Sequence, residues 1–292
     1  MSYKSPKKAI ITDAGFASRY LPITKTIPKG MIPMGAKPIM QLVVEECAKA
    51  GIEEIIIVAT AEGKPIYEDY FHNPVEKVKR QLDSQGKSDR YESVKQVLAL
   101  PKVTVIEQDP SLPYGNGSPI ASARQFINDD EAFIVVYSDD VVFGESDVKT
   151  LIKSYQNHPD AKAIIIAQEM PQEVLNKYGI IKLKDEQAMT LDHIVEKPAI
   201  DEAPSNLTSY GRYLLTPEVF QHLDPKNIGL DNELWTVDAI TKMVETGNVY
   251  VEKTRGEWVT TGDPENYFLA HLKYTLANEA YADKVRAYIN NH

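Results

Sequence analysis

The chain has 292 residues, 43% hydrophobic and 25% charged, enough to bury a sizeable core as one large domain or two. Its 42 acidic against 32 basic residues, a net charge of -10, exclude general adhesion to nucleic acid or an anionic membrane, so a basic patch on it points to a local anionic ligand. The single cysteine, Cys47, excludes an intrachain disulfide and fits a reducing, cytoplasmic setting, and the apolar run Ala9 to Ile11 is too short for a signal peptide or membrane span.

In chain order, "AIIT" from Ala9, "EEIIIVA" from Glu53, "KVTVIEQ" from Lys102 and "AFIVVYS" from Ala132 are β-branched runs, apolar on both faces. That is the pattern of parallel strands covered by helices on each side. Between the first two, Pro38 to Ala50 predicts a helix opened by proline and closed by Gly51, with Ile39, Leu42, Val43 and Cys47 on its apolar side. The result is a βαβ unit in which Cys47 reads as a buried structural thiol rather than a nucleophile. The polar segment 72–101 predicts a helical insertion on the rim of the sheet. After "DAKAIIIAQ", the stretch "YGIIKLKDEQAMTLDHIVEKP" from Tyr178 predicts two strands flanking a turn, an antiparallel or mixed extension. "ELWTVDAITKMVETG" from Glu233 and the segment from residue 264 predict helices. These elements describe one α/β domain over residues 1–292, with a Rossmann-like, mixed but largely parallel central sheet flanked by helices.

Ligands of open parallel sheets bind outside the carboxyl ends of the strands. The loop after the first strand leaves at that end, and so does "SDD" at Ser138 to Asp140. The dinucleotide fingerprint G-x-G-x-x-G fails, because Gly15 is followed by Phe16, Ala17, Ser18 and Arg19, which disfavours an oxidoreductase. "GMIPMGAKP" spaces Gly30 and Gly35 as a P-loop does, but Ala36 displaces the lysine and Pro38 the metal-binding hydroxyl. What remains is a turn around Gly15 offering backbone N–H groups, with Arg19, Lys25 and Lys29 beyond it. Backbone donors plus cations suit a polyphosphate. A solvated basic loop on an acidic protein is, at this point, an equally weighted alternative.

Longer motifs decide between them. "AGFASRYLPITKTIPKGMIPMGAKPIMQLVVEECAKAGI" resembles the opening of the bacterial UTP:glucose-1-phosphate uridylyltransferases, A-A-G-x-G-T-R-x-L-P-x-T-K-x-x-P-K-x-M-L-P-x-x-x-K-P. "EQDPSLPYGNGSPI", "FIVVYSDD", "KYGIIKL", "IVEKP", "DEAPSNLTSYGRYLLTPEVF" and "LWTVDAI" keep that family's order over nearly the whole chain. The resemblance implies a nucleotide-diphospho-sugar transferase fold and Mg2+-dependent transfer of a uridylyl group from UTP to a sugar 1-phosphate, with glucose 1-phosphate as acceptor. It implies a homo-oligomer, dimer or tetramer, whose partners are its substrates. By the same resemblance Arg19 and Lys29 contact the triphosphate, Ala14 and Gly15 form the nucleotide loop, and Gln108 and Gly115 border the uracil. Lys197 holds the sugar phosphate, Glu196 accepts sugar hydroxyls, Gly179 and Gly211 let backbone approach the sugar, and Asp139 is the magnesium ligand. The six histidines show no clustered acid/base pattern. None is required, because a phosphate monoester loses its second proton at about pH 6 and is already an anionic nucleophile.

Five positions depart from the family pattern. Ala17 and Ser18 stand where glycine and threonine are usual, and a methyl at Ala17 is expected to reshape a loop that approaches phosphate or takes positive φ. Asp13 replaces a small residue beside the triphosphate, where its carboxylate repels phosphate unless magnesium intervenes. Ser118 replaces a histidine. Thr260 occupies the place of a second metal-binding aspartate, with Asp140 and Asp263 as possible substitutes. These departures leave two readings open: an active uridylyltransferase with altered metal coordination or another nucleotide or sugar preference, and a binding or regulatory paralogue without efficient turnover.

Overall fold

A computed structural model describes residues 3–226 and 228–291. Its centre is a nine-stranded sheet in the spatial order 102–107, 54–59, 8–13, 133–137, 207–215, 163–169, 249–253, 190–196 and 179–185. The first four strands run parallel, as their two-sided apolar character predicts. Ile11, Ile55, Ile57 and Ile134 pack on one face, Ile10, Ile56 and Val135 on the other, all fully buried. Each such side chain contributes about 1.5–3 kcal/mol of burial, so the sheet is the most strongly held part of the chain.

The helix Ile39–Lys49 starts immediately after Pro38 and buries Val43, Val44 and Cys47, so the thiol lies in the core as expected. Helices Glu76–Ser84 and Glu92–Leu98 occupy the polar segment between the second and third strands. Residues 179–185 and 190–196 form an antiparallel hairpin with register shifts near Leu191. Helices Thr236–Met243, Pro264–Ala277 and Glu279–Asn290 follow, the second capped by Asp263.

Several strands have no counterpart in the sequence reading, 249–253, 140–143 and 257–260 among them, and one further such strand is central to the sheet. Leu207–Leu215 is buried at every position and lies antiparallel between 133–137 and 163–169, joining the two halves of the sheet. Its sequence "LTSYGRYLL" mixes polar and apolar residues because Arg212, Thr208 and Ser209 are buried with hydrogen-bond partners rather than exposed. A second, two-stranded sheet pairs 140–143 with 257–260, and it carries Thr260 back to Asp140, opposite it in register.

Candidate active site

The chain runs from the 8–13 strand outward through 54–59 to 102–107, then returns to the other side of the first strand at 133–137. This reversal is a topological switch point, where the loops after adjacent strands diverge and leave a crevice at their carboxyl ends. Asp13 ends one strand at that point and Asp139 follows the other. A cleft of about 360 Å³ opens there, with Ala14, Gly15, Lys29, Gln108, Gly115, Asp139 and Lys197 all in its wall. An adjoining hollow of about 370 Å³ shares Asp13, Gly15 and Lys29 and is bounded by Phe16, Ala17 and Lys25.

The charged centre is a pair. Lys29 Nζ donates to Asp139 Oδ2 at 2.6 Å. Burial opposes the charge on each partner, but each outweighs it for the other: the Asp139 carboxyl is held below its usual range and the Lys29 ammonium above its own. Both remain ionised at neutral pH. Asp139 is anchored through its backbone, since its carbonyl accepts from Thr261 N at 2.6 Å and Thr261 Oγ1 at 2.9 Å.

Asp13 behaves differently from the expectation of a free carboxylate beside phosphate. It accepts from Ser138 Oγ at 2.6 Å, Gly30 N at 3.3 Å and the Tyr67 hydroxyl. Those donors precede Asp139, follow Lys29 and rise from the helix Gly63–His72, so Asp13 ties together the segments on both sides of the charged pair. Burial pushes its carboxyl up, against the pull of Lys29 and the three donors. Asp140 and Asp263 are likewise committed. Asp140 accepts from Trp258 Nε1 at 2.7 Å and Gly211 N at 3.1 Å, and burial with the adjacent Asp139 charge raises it to about 7. Asp263 caps its helix by accepting from Asn266 N at 3.0 Å. Neither carboxylate takes the place of the missing second aspartate.

Thr260 does stand beside Asp139: a Cβ built on Gly262 would lie 3.2 Å from both Asp139 Oδ2 and Thr260 Oγ1. Arg19 reaches the same corner, donating to Gly262 O at 3.4 Å, and lies outside the lining of the cleft. Ser118 is buried and donates to Pro113 O at 2.5 Å, a loop tie rather than a cleft group. Among the described residues no three His, Cys, Asp or Glu side chains converge on a metal position. One carboxylate and one hydroxyl do not make a closed cage, but they fit Mg2+ carried on a polyphosphate, because that ion is held by one or two carboxylates plus substrate oxygens and water.

The loop after Gly15 keeps its turn without the usual glycine. Ala17 takes it at φ 47° and ψ 40°, in the left-handed region, so the added methyl is accommodated as strain and not by an extended chain there. Ala17→Gly should therefore raise stability by about 0.5–1 kcal/mol, the relief of left-handed strain less the extra entropy of an unfolded glycine. Urea denaturation checks this as a higher midpoint at unchanged slope. A lower midpoint would mean that Ala17 is not strained.

The far wall holds the remaining candidates. Lys197 enters the cleft at φ 46°, its N–H fixed to Tyr178 O at 3.0 Å. Glu196 ends the hairpin strand 190–196, and its Oε2 lies 3.0 Å from where a Cβ on Gly179 would be. Burial pushes its carboxyl up, against the attraction of Lys197. A Cβ on Gly211 would collide with the Tyr137 ring at 2.2 Å, so Tyr137, not Gly211, presents the surface to the cleft. Glu196, Gly179 and Gly211 lie outside the cleft lining. At the mouth, Phe16 and Tyr114 stack at 5.9 Å with an interplanar angle of 9° while largely exposed. Tyr114, Asn116 and Trp235 are cleft residues that the sequence reading did not single out. All three lie inside motifs it quoted, "EQDPSLPYGNGSPI" and "LWTVDAI", and only their neighbours carried a recognisable chemistry.

The nucleotidyl transferase family model matches residues 8–276. The chain belongs to the nucleotidyl transferase family. It is 38% identical to UTP–glucose-1-phosphate uridylyltransferase 2 of Staphylococcus saprophyticus, over 97% of this chain and 96% of that one. It is 37% identical to the UTP–glucose-1-phosphate uridylyltransferase of Staphylococcus haemolyticus, over 98% of each. The UTP-bound enzyme of Acinetobacter baumannii superposes with a TM-score of 0.86 at 29% identity, over 97% of this chain and 98% of that one. A UDP-glucose pyrophosphorylase complexed with UDP-glucose superposes with a TM-score of 0.81 at 29% identity, over 94% of this chain and all of that one. In this nucleotidyl transferase the switch-point cleft thus lies in a fold whose solved relatives hold UTP or UDP-glucose. No described helix is long and apolar enough to cross a membrane.

Proposed function

We propose that this chain transfers the uridylyl group of UTP to glucose 1-phosphate, giving UDP-glucose and pyrophosphate, as one nucleotidyltransferase domain in the cytoplasm. The observation that carries the reading is the Lys29–Asp139 pair at the switch point, with Lys197 entering the same cleft from the other half of the sheet. The names of the curated relatives support the choice of nucleotide and sugar. A non-bridging oxygen of the sugar phosphate attacks the α-phosphorus. The bond from that phosphorus to the bridging oxygen breaks, and pyrophosphate leaves with the electron pair. The attacking phosphate is already anionic, so no side chain has to remove a proton. The protein's task is to hold two anions together and offset their charge.

In this reading Gly15 and its neighbour Ala14 present backbone to the triphosphate, Lys29 and Arg19 neutralise it, and Gln108 and Gly115 border the base. Lys197 binds the sugar phosphate, while Glu196, Gly179 and Gly211 shape the sugar end. Asp139, aided by Thr260, would hold Mg2+, which when bound supplies charge neutralisation at the transferred group. Exposed Phe268, Leu269 and Ile289 on the two C-terminal helices support assembly as a homo-oligomer, a dimer or tetramer.

Pyrophosphate release measured across a panel of nucleoside triphosphates and sugar 1-phosphates, with and without Mg2+, tests this. UTP with glucose 1-phosphate should be the best pair, and turnover should require the metal. Lys197→Ala should raise KM for glucose 1-phosphate about thirtyfold, roughly 2 kcal/mol, with a much smaller change for UTP. The neutral hydroxyl of Thr260 favours a second reading, a nucleotide-sugar-binding paralogue. Saturable UDP-glucose binding with no turnover of any pair would select it.

A further inference from the structure

Lys197 has few strong attachments. Its ammonium lies 3.7 Å from Glu196 Oε1, within ion-pair range but beyond a good hydrogen bond. It also stands over the indole of Trp235, 4.4 Å from the ring centroid. The indole is fixed: Trp235 is 6% exposed, its Nε1 donates to Leu230 O at 2.9 Å, and it immediately precedes the helix Thr236–Met243. The preceding residue is clamped to the loop after the third parallel strand, Leu234 N to Tyr114 O at 2.8 Å and Gly117 N to Leu234 O at 2.8 Å. Thr236 N donates to Asn116 Oδ1 at 2.8 Å, completing the attachment.

A lysine ammonium on a four-carbon stem explores many positions unless something holds it. A close carboxylate would hold it but would compete with a phosphate for its N–H donors. An aromatic face attracts the cation through its quadrupole and leaves those donors free.

We propose that Trp235 is a positioning residue for Lys197: its indole face keeps the ammonium in the cleft and presents it to the phosphate of the sugar 1-phosphate. This rests on the assignment of Lys197 to that phosphate. Because Trp235 is anchored to the loop at Tyr114 to Gly117, the cation is held at a set place relative to the nucleotide end of the cleft.

The test exploits the chain's two tryptophans, Trp235 and Trp258. Uniform replacement by mono- to tetrafluorotryptophan drains the π face stepwise at nearly constant shape. KM for glucose 1-phosphate should climb along the series by about three- to tenfold, while KM for UTP stays level. In a Lys197→Ala background the dependence on fluorination should vanish, which also removes any contribution from Trp258. Trp235→Leu should raise the same KM at least as far and Trp235→Phe should restore most of it; if the leucine variant fails to fold, the fluorinated series still decides. A flat series in a protein whose Lys197→Ala variant does raise KM for glucose 1-phosphate overturns the role of Trp235 and leaves that of Lys197 standing. An unchanged KM in Lys197→Ala overturns the phosphate assignment and this proposal with it. A rise in both KM values together, or one that persists without Lys197, marks a purely structural tryptophan and also overturns the proposal.

Discussion

Asp139→Asn is expected to lower turnover about a thousandfold, roughly 4 kcal/mol of transition-state stabilisation, while leaving the fold intact. The substitution keeps the size of the side chain and removes the charge that pairs with Lys29 and that, in the proposed reading, would attract Mg2+. The fold should persist because the Asp139 backbone is held independently, by two bonds from Thr261 to its carbonyl. Lys29 would be left largely buried with Asp13 as the carboxylate that most strongly attracts it, so its cation should stay in the cleft and UTP binding should weaken less than turnover. Steady-state rates of pyrophosphate release against Mg2+ concentration, with circular dichroism and thermal melting as controls for folding, give the comparison. Turnover and magnesium dependence like those of the wild type would move the metal away from Asp139.

Arg212→Met should cost about 3–5 kcal/mol of stability, a large share of what a domain usually has. The guanidinium is completely buried. It donates to Glu46 Oε2 at 3.0 Å, to Asp140 O at 2.6 Å and to Gly211 O at 2.9 Å. Its Nε finds no hydrogen-bond partner, so the group is not ideally satisfied, yet its removal strands a buried carboxylate and the carbonyls of Tyr137, Asp140 and Gly211 at once. Glu46 also accepts from Ser146 Oγ at 3.1 Å and Val148 N at 3.3 Å at the start of the helix Asp147–Asn157, which retains part of its solvation. Glu46→Gln in the Arg212→Met background should accordingly recover about 1–2 kcal/mol. Urea midpoints for the two single variants and the double variant measure this. Additive losses would show that the two side chains do not act as a pair. Because Arg212 binds the carbonyls on either side of the Asp140–Gly211 contact, the single variant should also disturb the segment that carries Asp139.

The parallel half of the fold could be read directly from the chain. Strands at 8–13, 54–59, 102–107 and 133–137, the helix after Pro38, the hairpin before Pro198 and the helices from residue 264 announce themselves through apolar periodicity and local breakers. These signals act over a few residues, so the local order of residues carries them. The location of the site at the carboxyl ends of the strands followed from the same pattern, while the switch point itself came from the strand order; Lys29, Asp139, Gly15, Gln108, Gly115 and Lys197 do meet in one cleft.

Only tertiary structure decided how the carboxylates were used. Asp13, Asp139, Asp140 and Asp263 are chemically alike in the sequence, but burial and donors contributed by distant segments make Asp13 a strut, Asp140 a core acceptor and Asp263 a helix cap. Asp139 alone among them is paired with a cleft lysine. The central antiparallel strand 207–215 was hidden for the same reason: its polar side chains are satisfied by partners far away in the chain, which no local pattern encodes. Sequence also marks Ala17 as a departure without saying whether the turn survives, because the cost of a left-handed alanine is small enough for surrounding structure to impose it. Trp235 becomes a neighbour of Lys197 only when the 234–236 segment is tied to the loop at Tyr114 to Gly117, a contact made by folding between residues that share no local signal.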